Sequence, residues 1–288
     1  MSASPVVVGY HGKKYARDAL AWAAREADHR GVPLTVLFAA NWPGMTLPSG
    51  TEPLAFEPGA LEAAEEVTAQ GVTEALAVCP RLEVGGMTVV TSPTRALIEA
   101  SAHAELVVVG SRGRGPVVET LLGSISFSVA ARAECPVVVV EQGMGEWTAG
   151  PGRPVVAGVD GSPAALQAVA FAADYASGRR ARLELICCTG EMLAPGVDPE
   201  QVRAGADAAL RRARTTARSG RRGLQVLTRR VDGAPEPVLI EASAEAGLMV
   251  VGSRGRGAFH GMLAGSVAHA VVHRARCPVA VVGGSGGR

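Results

Sequence analysis

Two stretches of the chain carry nearly the same glycine-rich sequence: VVVGSRGRGPVVETLLGSISFSVAARAECPVVVV at residues 107–140 and MVVGSRGRGAFHGMLAGSVAHAVVHRARCPVAVV at residues 249–282. In each, an apolar run leads into glycines, a helical pattern follows, and a Cys-Pro pair opens a second apolar run. VVVGYHGKK from Val6 likewise matches VVAGVDGSP from Val155. The period is as long as a domain, so the sequence indicates a tandem duplication rather than a solenoid.

The composition bounds the class of protein. The chain has 288 residues, 48% hydrophobic and 19% charged, which suits two domains that each bury a core. A net charge of +1 gives no case for a nucleic-acid or membrane partner. The basic run SGRRGLQVLTRR at 219–230 is expected on a solvated helix end and its following strand. No signal peptide or membrane-length apolar run is recognisable, so we expect a cytoplasmic protein. Cys135 and Cys277 are equivalent, and we expect both in the core.

The duplication also predicts the domain boundaries. The stretch between the two halves is rich in glycine and flanked by apolar runs, which is typical of a linker. We therefore expect a first domain over 1–142, a linker over 143–153, a second domain over 154–283 and a disordered tail over 284–288.

Apolar runs of strand length alternate with helical patterns in each half. In the second half the predicted strands are 154–159, 182–187, 224–231, 248–252 and 278–282. The predicted helices are 163–177, 199–219, 235–246 and 266–274. Strands this rich in Val, Leu and Ile are typical of burial on both faces, so the pattern predicts two α/β domains, each with a doubly wound, five-stranded parallel sheet.

The repeated loop has the pattern Gly-x2-Gly-x9-Gly-Ser. It occurs as Gly110, Gly113, Gly123, Ser124 and again as Gly252, Gly255, Gly265, Ser266. Glycine lets the backbone approach a ligand closely, and a helix that starts at the serine offers N–H groups to an anion such as phosphate. Arginines within the loop, Arg254 among them, could add charge. The alternative is a set of tight turns and a helix cap without a ligand.

Asp160 follows the first strand of the second half, beside the point where the strand order should reverse. A carboxylate there can accept hydrogen bonds from a ribose or an adenine amino group. The alternative is that Asp160 caps the next helix. Ser162 can already supply that cap, which favours the ligand role.

Taken together, the strand-one VxxGVDGSP, the doubled glycine motif and the closing Cys-Pro-Val strand resemble the universal stress protein family over nearly the whole chain. The resemblance implies Rossmann-like domains of the adenine nucleotide α-hydrolase type, many of which bind ATP. Mg²⁺ could accompany the phosphates, but the sequence shows no dedicated set of ligands for it. It implies pairing through the last strand, which here would join the halves as an intramolecular pseudo-dimer, with a homodimer as a further arrangement. The implied nucleotide-contacting residues are Asp160, Gly161, Gly252, Arg254, Gly255, Gly265, Ser266 and Val267, together with Gly110, Gly113, Gly123 and Ser124.

The first half departs from this pattern. Where the second half has Asp160 and Ser162, the first has His11 and Lys13. One interpretation is decay of adenosine binding with the fold kept. The others are specificity for a different or more anionic ligand, and unchanged ATP binding.

For the whole chain we expect a nucleotide-binding regulatory protein of the stress response with a protein partner. An efficient enzyme is not expected, because no paired carboxylates or metal cluster accompany the loop in the sequence. A slow ATP-hydrolysing or nucleotidyl-transfer enzyme is one alternative. A ligand-free protein-interaction module of the same fold is the other.

Overall fold

The computed structural model describes residues 3–40, 59–111, 124–190, 198–255 and 265–283. The chain divides into two compact units, Met1–Glu146 and Trp147–Arg288. In each unit strands and helices alternate along the described chain. The tail predicted to be disordered, 284–288, lies outside the described residues.

Unit 1 contains a five-stranded sheet in the order β3-β2-β1-β4-β5, and its strand pairs are parallel. Its elements are β1 (Val6–Gly9), α1 (Lys14–Arg30), β2 (Leu34–Ala39), α2 (Ala60–Val78), β3 (Val84–Val89), α3 (Pro93–Ser101), β4 (Leu106–Ser111), α4 (Ser124–Arg132) and β5 (Val137–Glu141).

Unit 2 repeats this order as β8-β7-β6-β9-β10, again with parallel pairs. Its elements are β6 (Val155–Gly158), α5 (Pro163–Gly178), β7 (Leu183–Cys188), α6 (Pro199–Arg218), β8 (Val226–Val231), α7 (Pro235–Ala242), β9 (Leu248–Gly252), α8 (Ser266–Arg274) and β10 (Val279–Val282). The predicted fold class is confirmed, with β9 and α8 at the predicted residues.

The central strands form because their apolar residues are buried on both faces. Val6 and Val8 in unit 1 and Val155 in unit 2 have no exposed surface. Prolines start α3, α5, α6 and α7, where the missing N–H costs no helical hydrogen bond. The predicted helix 235–246 ends earlier, at Ala242, and turns follow it, in which the Ala244 N–H donates to the Glu241 carbonyl.

The strand order reverses between β1 and β4 in unit 1 and between β6 and β9 in unit 2. Neighbouring strands there diverge to helices on opposite faces, which leaves a crevice at their carboxyl ends. Each unit therefore has such a crevice. The repeated glycine motif begins at the end of the unit's fourth strand, which is one of the two strands that form the crevice.

The stretch between β5 and β6 packs against the unit on either side of the division. The Gly143 N–H donates to the Asp18 carboxylate at 3.0 Å, and Arg25 donates to the Gly145 carbonyl at 2.8 Å. On the other side, the Trp147 indole N–H donates to the Ala246 carbonyl at 2.8 Å. Two of these three hydrogen bonds are accepted by backbone carbonyls, so the residue types of the stretch do not predict them.

No helix in the described part of the chain combines the length and apolar character that crossing a bilayer requires.

Candidate ligand-binding site

Unit 2 has a cavity of about 510 Å³ at the switch point between β6 and β9. Seven of the eight residues predicted for this half line it: Asp160, Gly252, Arg254, Gly255, Gly265, Ser266 and Val267. The eighth, Gly161, is not part of the lining. It has a φ of +80°, and its counterpart Gly12 has a φ of +78°, so both serve the turn after the first strand.

The Asp160 carboxylate serves the local turn and also reaches the cavity. Its Oδ1 accepts the Ser162 N–H at 2.9 Å, while the Ser162 hydroxyl accepts the Ala165 N–H and caps α5. Its Oδ2 lies next to Gly255, because a Cβ built on that glycine would stand 2.6 Å from the oxygen. Turn formation and ligand contact, which the sequence left as alternatives, are thus compatible.

The second and third glycines of the unit 2 motif, Gly255 and Gly265, are glycine for different reasons. At Gly255 any side chain would collide with the Asp160 carboxylate. At Gly265 the nearest described heavy atoms to an added Cβ are 3.7 Å away, and φ is −68°, so the protein itself tolerates a larger residue there. The small size of Gly265 therefore leaves room on the cavity side rather than satisfying a packing need.

Gly252, at the end of β9, is required by close packing. A Cβ at this position would lie 3.1 Å from the Ala164 carbonyl carbon and 3.2 Å from the Ala165 nitrogen. The absent side chain lets the first turn of α5 approach the strand end. Gly252 lines the cavity as well, so packing and ligand access both favour glycine here.

The first turn of α8 borders the cavity through Ser266, Val267 and Ala268. The helix supplies no acceptor for its first-turn N–H groups, and its dipole places partial positive charge at this end. The Gly265 N–H donates to the Ser253 carbonyl at 2.8 Å and anchors the turn that starts the helix. This end of the cavity can therefore receive an anion.

Glu236, in the first turn of α7, places a carboxylate at the same end of the cavity. The Ser266 hydroxyl donates to its Oε1 at 3.3 Å. Sequence reasoning missed this residue because the first half has Thr94 at the equivalent position, and only shared residues stood out. An anion beside Ser266 would have to displace this hydrogen bond or have its charge offset by a cation.

The rest of the lining is mostly apolar. Val159, Ile186, Leu239 and Val251 present aliphatic side chains that suit the faces of a flat heterocycle. Cys188 also lines the cavity, and burial raises the pKa of its thiol to about 11. Periodicity places these residues on buried strands and helices but does not reveal which of them face a cavity.

Unit 1 has a smaller cavity, of about 330 Å³, at its own switch point. The His11 Nδ1 accepts the Lys13 N–H at 3.2 Å, as Asp160 Oδ1 accepts the Ser162 N–H in unit 2. This hydrogen bond assigns the neutral imidazole proton to Nε2. The Tyr15 ring packs edge-on against His11, with the ring centroids 4.6 Å apart. Histidine thus preserves the turn and changes the group next to the cavity.

Of the four site residues predicted for unit 1, Gly110 lines this cavity. Its Cβ, if present, would lie 2.6 Å from the Tyr15 carbonyl oxygen, so glycine is needed for packing. Gly113 and Gly123 lie outside the described residues. Ser124 is the first residue of α4, and its side chain is not among those that the structure describes.

Within the described ranges, no three His, Cys, Asp or Glu side chains form a group that could hold a metal ion.

The fold and the cavity define a class, that of doubly wound α/β domains with a glycine-bordered ligand crevice. A universal stress protein from Archaeoglobus fulgidus has the same fold, with a TM-score of 0.69 and 21% identity over 98% of this chain and 99% of that one. A crystal structure of a universal stress protein in complex with cAMP is 30% identical, with a TM-score of 0.37 and coverage of 45% of this chain and 96% of that one.

The sequence comparisons identify the family. The model of the universal stress protein family matches residues 3–141 and 152–283. A universal stress protein of Mycobacterium tuberculosis is 36% identical over 284 residues, which covers 96% of each chain. The chain therefore belongs to the universal stress protein family, and the predicted resemblance is confirmed.

Proposed function

We propose that unit 2 binds an adenine nucleotide, ATP, and that the chain is a nucleotide-dependent regulatory protein of the stress response. The observation that carries the proposal is the convergence of the Asp160 carboxylate and the N-terminus of α8 on one cavity. Asp160 accepts hydrogen bonds from the adenosine. The backbone at Gly255, Gly265, Ser266 and Val267 receives the phosphates.

The chemistry of the lining supports this division of the cavity. Aliphatic side chains such as Ile186 and Leu239 suit the faces of the adenine ring, which is flat and apolar above and below. Arg254 borders the glycine end and can add a charge-assisted hydrogen bond to phosphate. The apolar and anion-binding parts of the site thus match the two parts of a nucleotide.

Glu236 makes Mg²⁺ part of the proposal. Its carboxylate beside Ser266 opposes a phosphate at the same place. Mg²⁺ is commonly held by one or two carboxylates together with substrate phosphates. Glu236 is the residue that would hold it here, and Mg²⁺ would offset the negative charge of both partners. We expect ATP to bind more weakly when Mg²⁺ is removed with EDTA, and Glu236→Gln to reduce that dependence.

A second candidate function, slow ATP hydrolysis, is favoured by the same residue. Glu236 is a carboxylate at the phosphate end of the proposed site, where a general base would have to lie to activate water. In this candidate Glu236 acts on water instead of holding Mg²⁺, so Glu236→Gln should lower the turnover rate while the Mg²⁺ dependence of ATP binding stays that of wild type. Equal release of phosphate by wild type and variant would remove this candidate.

For unit 1 we propose that adenosine binding is lost or weakened. An imidazole stands in place of the carboxylate, and the cavity is smaller than that of unit 2. ATP should therefore bind with a stoichiometry near one per chain. We further propose a cytoplasmic location and a protein partner that distinguishes the nucleotide-bound from the nucleotide-free chain.

Calorimetric titration of nucleotide-stripped chain with ATP and Mg²⁺ tests the proposal. We expect one site per chain that Asp160→Ala weakens, and that the matched change His11→Ala in unit 1 leaves unaltered. Two equal sites would mean that His11 substitutes for aspartate. The absence of heat and of any thermal shift would instead favour the ligand-free interaction module.

A further inference from the structure

The near-neutral chain consists of two units with opposite charge. Residues 1–146 contain 10 Lys and Arg against 16 Asp and Glu, a net charge of −6. Residues 147–288 contain 18 Lys and Arg against 11 Asp and Glu, a net charge of +7. The overall value of +1 hides this division, which the whole-chain composition could not show.

Two equivalent helices carry much of the difference. The second helix of unit 1, α2, has four glutamates and no Lys or Arg. Its counterpart in unit 2, α6, has five arginines against one glutamate and one aspartate. Each helix packs on the outermost strand in the sheet order of its unit, α2 on β3 and α6 on β8. The acidic and basic surfaces thus occupy the same place in the two units.

The charges on these helices are concentrated near opposite ends. Glu62, Glu65 and Glu66 lie in the first two turns of α2, and all are exposed. Four of the five arginines lie in the last two turns of α6, where Arg211, Arg214 and Arg218 share one face by helical periodicity.

The carboxylates in the described part of the chain do not neutralise this basic face. Among the described residues, no acidic side chain forms an ion pair with Arg211, Arg214 or Arg218. Nearby arginines behave differently, because Arg229 pairs with Glu184 and Arg230 with Asp207. The basic run 219–230 is thus largely compensated, and the uncompensated charge lies just before it, on α6.

Exposed apolar side chains lie on the same elements. Among the described residues, five large hydrophobic side chains are exposed, and four of them lie on α2, β3 or β8. Leu61 lies in the acidic first turn of α2, and Leu76 lies in its last turn. Met87 on β3 and Leu227 on β8 lie on the other face of these strands, because Thr88 contacts α2 and Arg230 contacts α6. On α2, apolar surface beside charge is typical of a protein-protein contact rather than of a solvated face.

We propose that the α2/β3 face of one chain binds the α6/β8 face of a second copy. The occupant is a second copy because the chain itself carries both complementary surfaces. With the two helices antiparallel, the acidic first turns of α2 meet the basic last turns of α6, and the helix dipoles are also opposed favourably. Such a contact joins two different surfaces, so the chains either close into a ring of two or more subunits or continue as an open chain.

Sedimentation velocity of the full chain, free of nucleic acid and without added nucleotide, tests the proposal. Exposed charges act over about 30 Å at 0.01 M salt and only about 3 Å at 1 M. At low salt we expect a weight-average mass at least about twice that of the chain, rising with concentration. At 1 M salt we expect the chain mass of 29.4 kDa.

Charge reversal identifies the surfaces. Arg211→Glu, Arg214→Glu and Arg218→Glu together should give a chain that stays monomeric at low salt. Glu62→Arg, Glu65→Arg and Glu66→Arg together should do the same. A mixture of the two variants should associate again, because the acidic α2 of one then meets the basic α6 of the other. All of these positions are exposed, and circular dichroism checks that each variant folds.

A matched control reverses three exposed arginines at the amino edge of the unit 2 sheet: Arg180→Glu, Arg182→Glu and Arg276→Glu. It changes the net charge equally and should leave association intact. A wild-type chain that is monomeric at low salt overturns the proposal. So does a mixture that fails to associate, or association that appears only when DNA is added, which would make α6 a polyanion site.

Discussion

Unit 1 and unit 2 build the same turn after their first strand from different side chains. In unit 2 the Asp160 carboxylate accepts the N–H two residues on, and in unit 1 the His11 imidazole does so. The glycine between has nearly the same positive φ in both units. The group that the turn leaves over differs, however, because Asp160 keeps a second acceptor oxygen whereas a neutral His11 keeps an Nε2 N–H donor. A duplicated domain can therefore keep its backbone geometry while it reverses the hydrogen-bonding character of its ligand site.

The largest expected difference between the units concerns the glycine at the end of the fourth strand, where the first helix of the unit packs closely against that strand. We expect Gly110→Ala to destabilise unit 1 by about 3 kcal/mol, because the new Cβ would stand 2.6 Å from a backbone oxygen that has little freedom to move. Gly252→Ala should cost unit 2 only about 1 kcal/mol, since its nearest contact is 3.1 Å.

Hydrogen exchange of the slowest amides in β1 and β6 measures the two units separately within one chain. Each variant serves as the control for the other, because the unit without the mutation should be unchanged. Equal losses in both units would show that these glycines do not reflect local packing.

Exchanging the turn residues between the units tests the reversal of hydrogen bonding. Asp160→His should weaken ATP binding about 100-fold, because a charge-assisted acceptor is lost, which is worth about 1.5–3 kcal/mol. Stability should hold, since a histidine at this position can accept the Ser162 N–H as His11 accepts that of Lys13. Calorimetry with ATP and Mg²⁺ measures the affinity, and thermal unfolding measures the stability.

The reciprocal change, His11→Asp, should give unit 1 a measurable second ATP site. If Asp160→His binds ATP as wild type does, the carboxylate does not contact the nucleotide. The comparison between the units would then rest on cavity size alone.

A smaller effect should distinguish the two loop glycines of unit 2. Gly265→Ala should weaken ATP about 10-fold without loss of stability, because only a bound phosphate would meet the added methyl group. Gly255→Ala should weaken ATP and also lower stability, since its Cβ would displace the Asp160 carboxylate. Unchanged affinity in Gly265→Ala would place the phosphates elsewhere.

Much of this architecture was predictable because it depends on local patterns. The apolar run 248–252 formed a strand with the predicted bounds, and the other predicted strands of unit 2 differ by one or two residues at their ends. The Ser162 cap followed from its place before a proline. The cavity lining was harder to predict. Shared residues such as Gly252 and Ser266 stood out through repetition, but Glu236 has no counterpart in the first half.

Long-range packing explains the other misses. The contact between Gly255 and Asp160 joins residues far apart in sequence, so the steric reason for that glycine could not be derived from its motif. The charge division between the units escaped notice because opposite signs cancel in the total. Contacts between residues far apart in sequence need the fold, whereas the charge division could have been found by counting each predicted domain separately.

The smallest expected effect concerns the reactivity of Cys188, which allows a direct comparison between the units. Unit 1 has Ala39 at the equivalent place, and both residues line the cavities of their units. Burial raises the Cys188 thiol pKa to about 11, so alkylation by iodoacetamide should be slow at pH 8 and accelerate towards pH 11 as the thiolate forms. The raised pKa also means that the neutral, half-buried thiol stabilises the fold below about pH 9, and that this contribution is lost as the pH rises through 11.

At an ATP concentration of twice the Kd, occupancy should slow the alkylation of Cys188 about threefold if the nucleotide covers the thiol. A thiol introduced by Ala39→Cys in unit 1 is the matched control, and ATP should leave its rate unchanged. Peptide mass spectrometry reads both positions in one sample. Equal protection at the two positions would show that unit 1 also holds ATP, and that the exchange of aspartate for histidine did not abolish binding there.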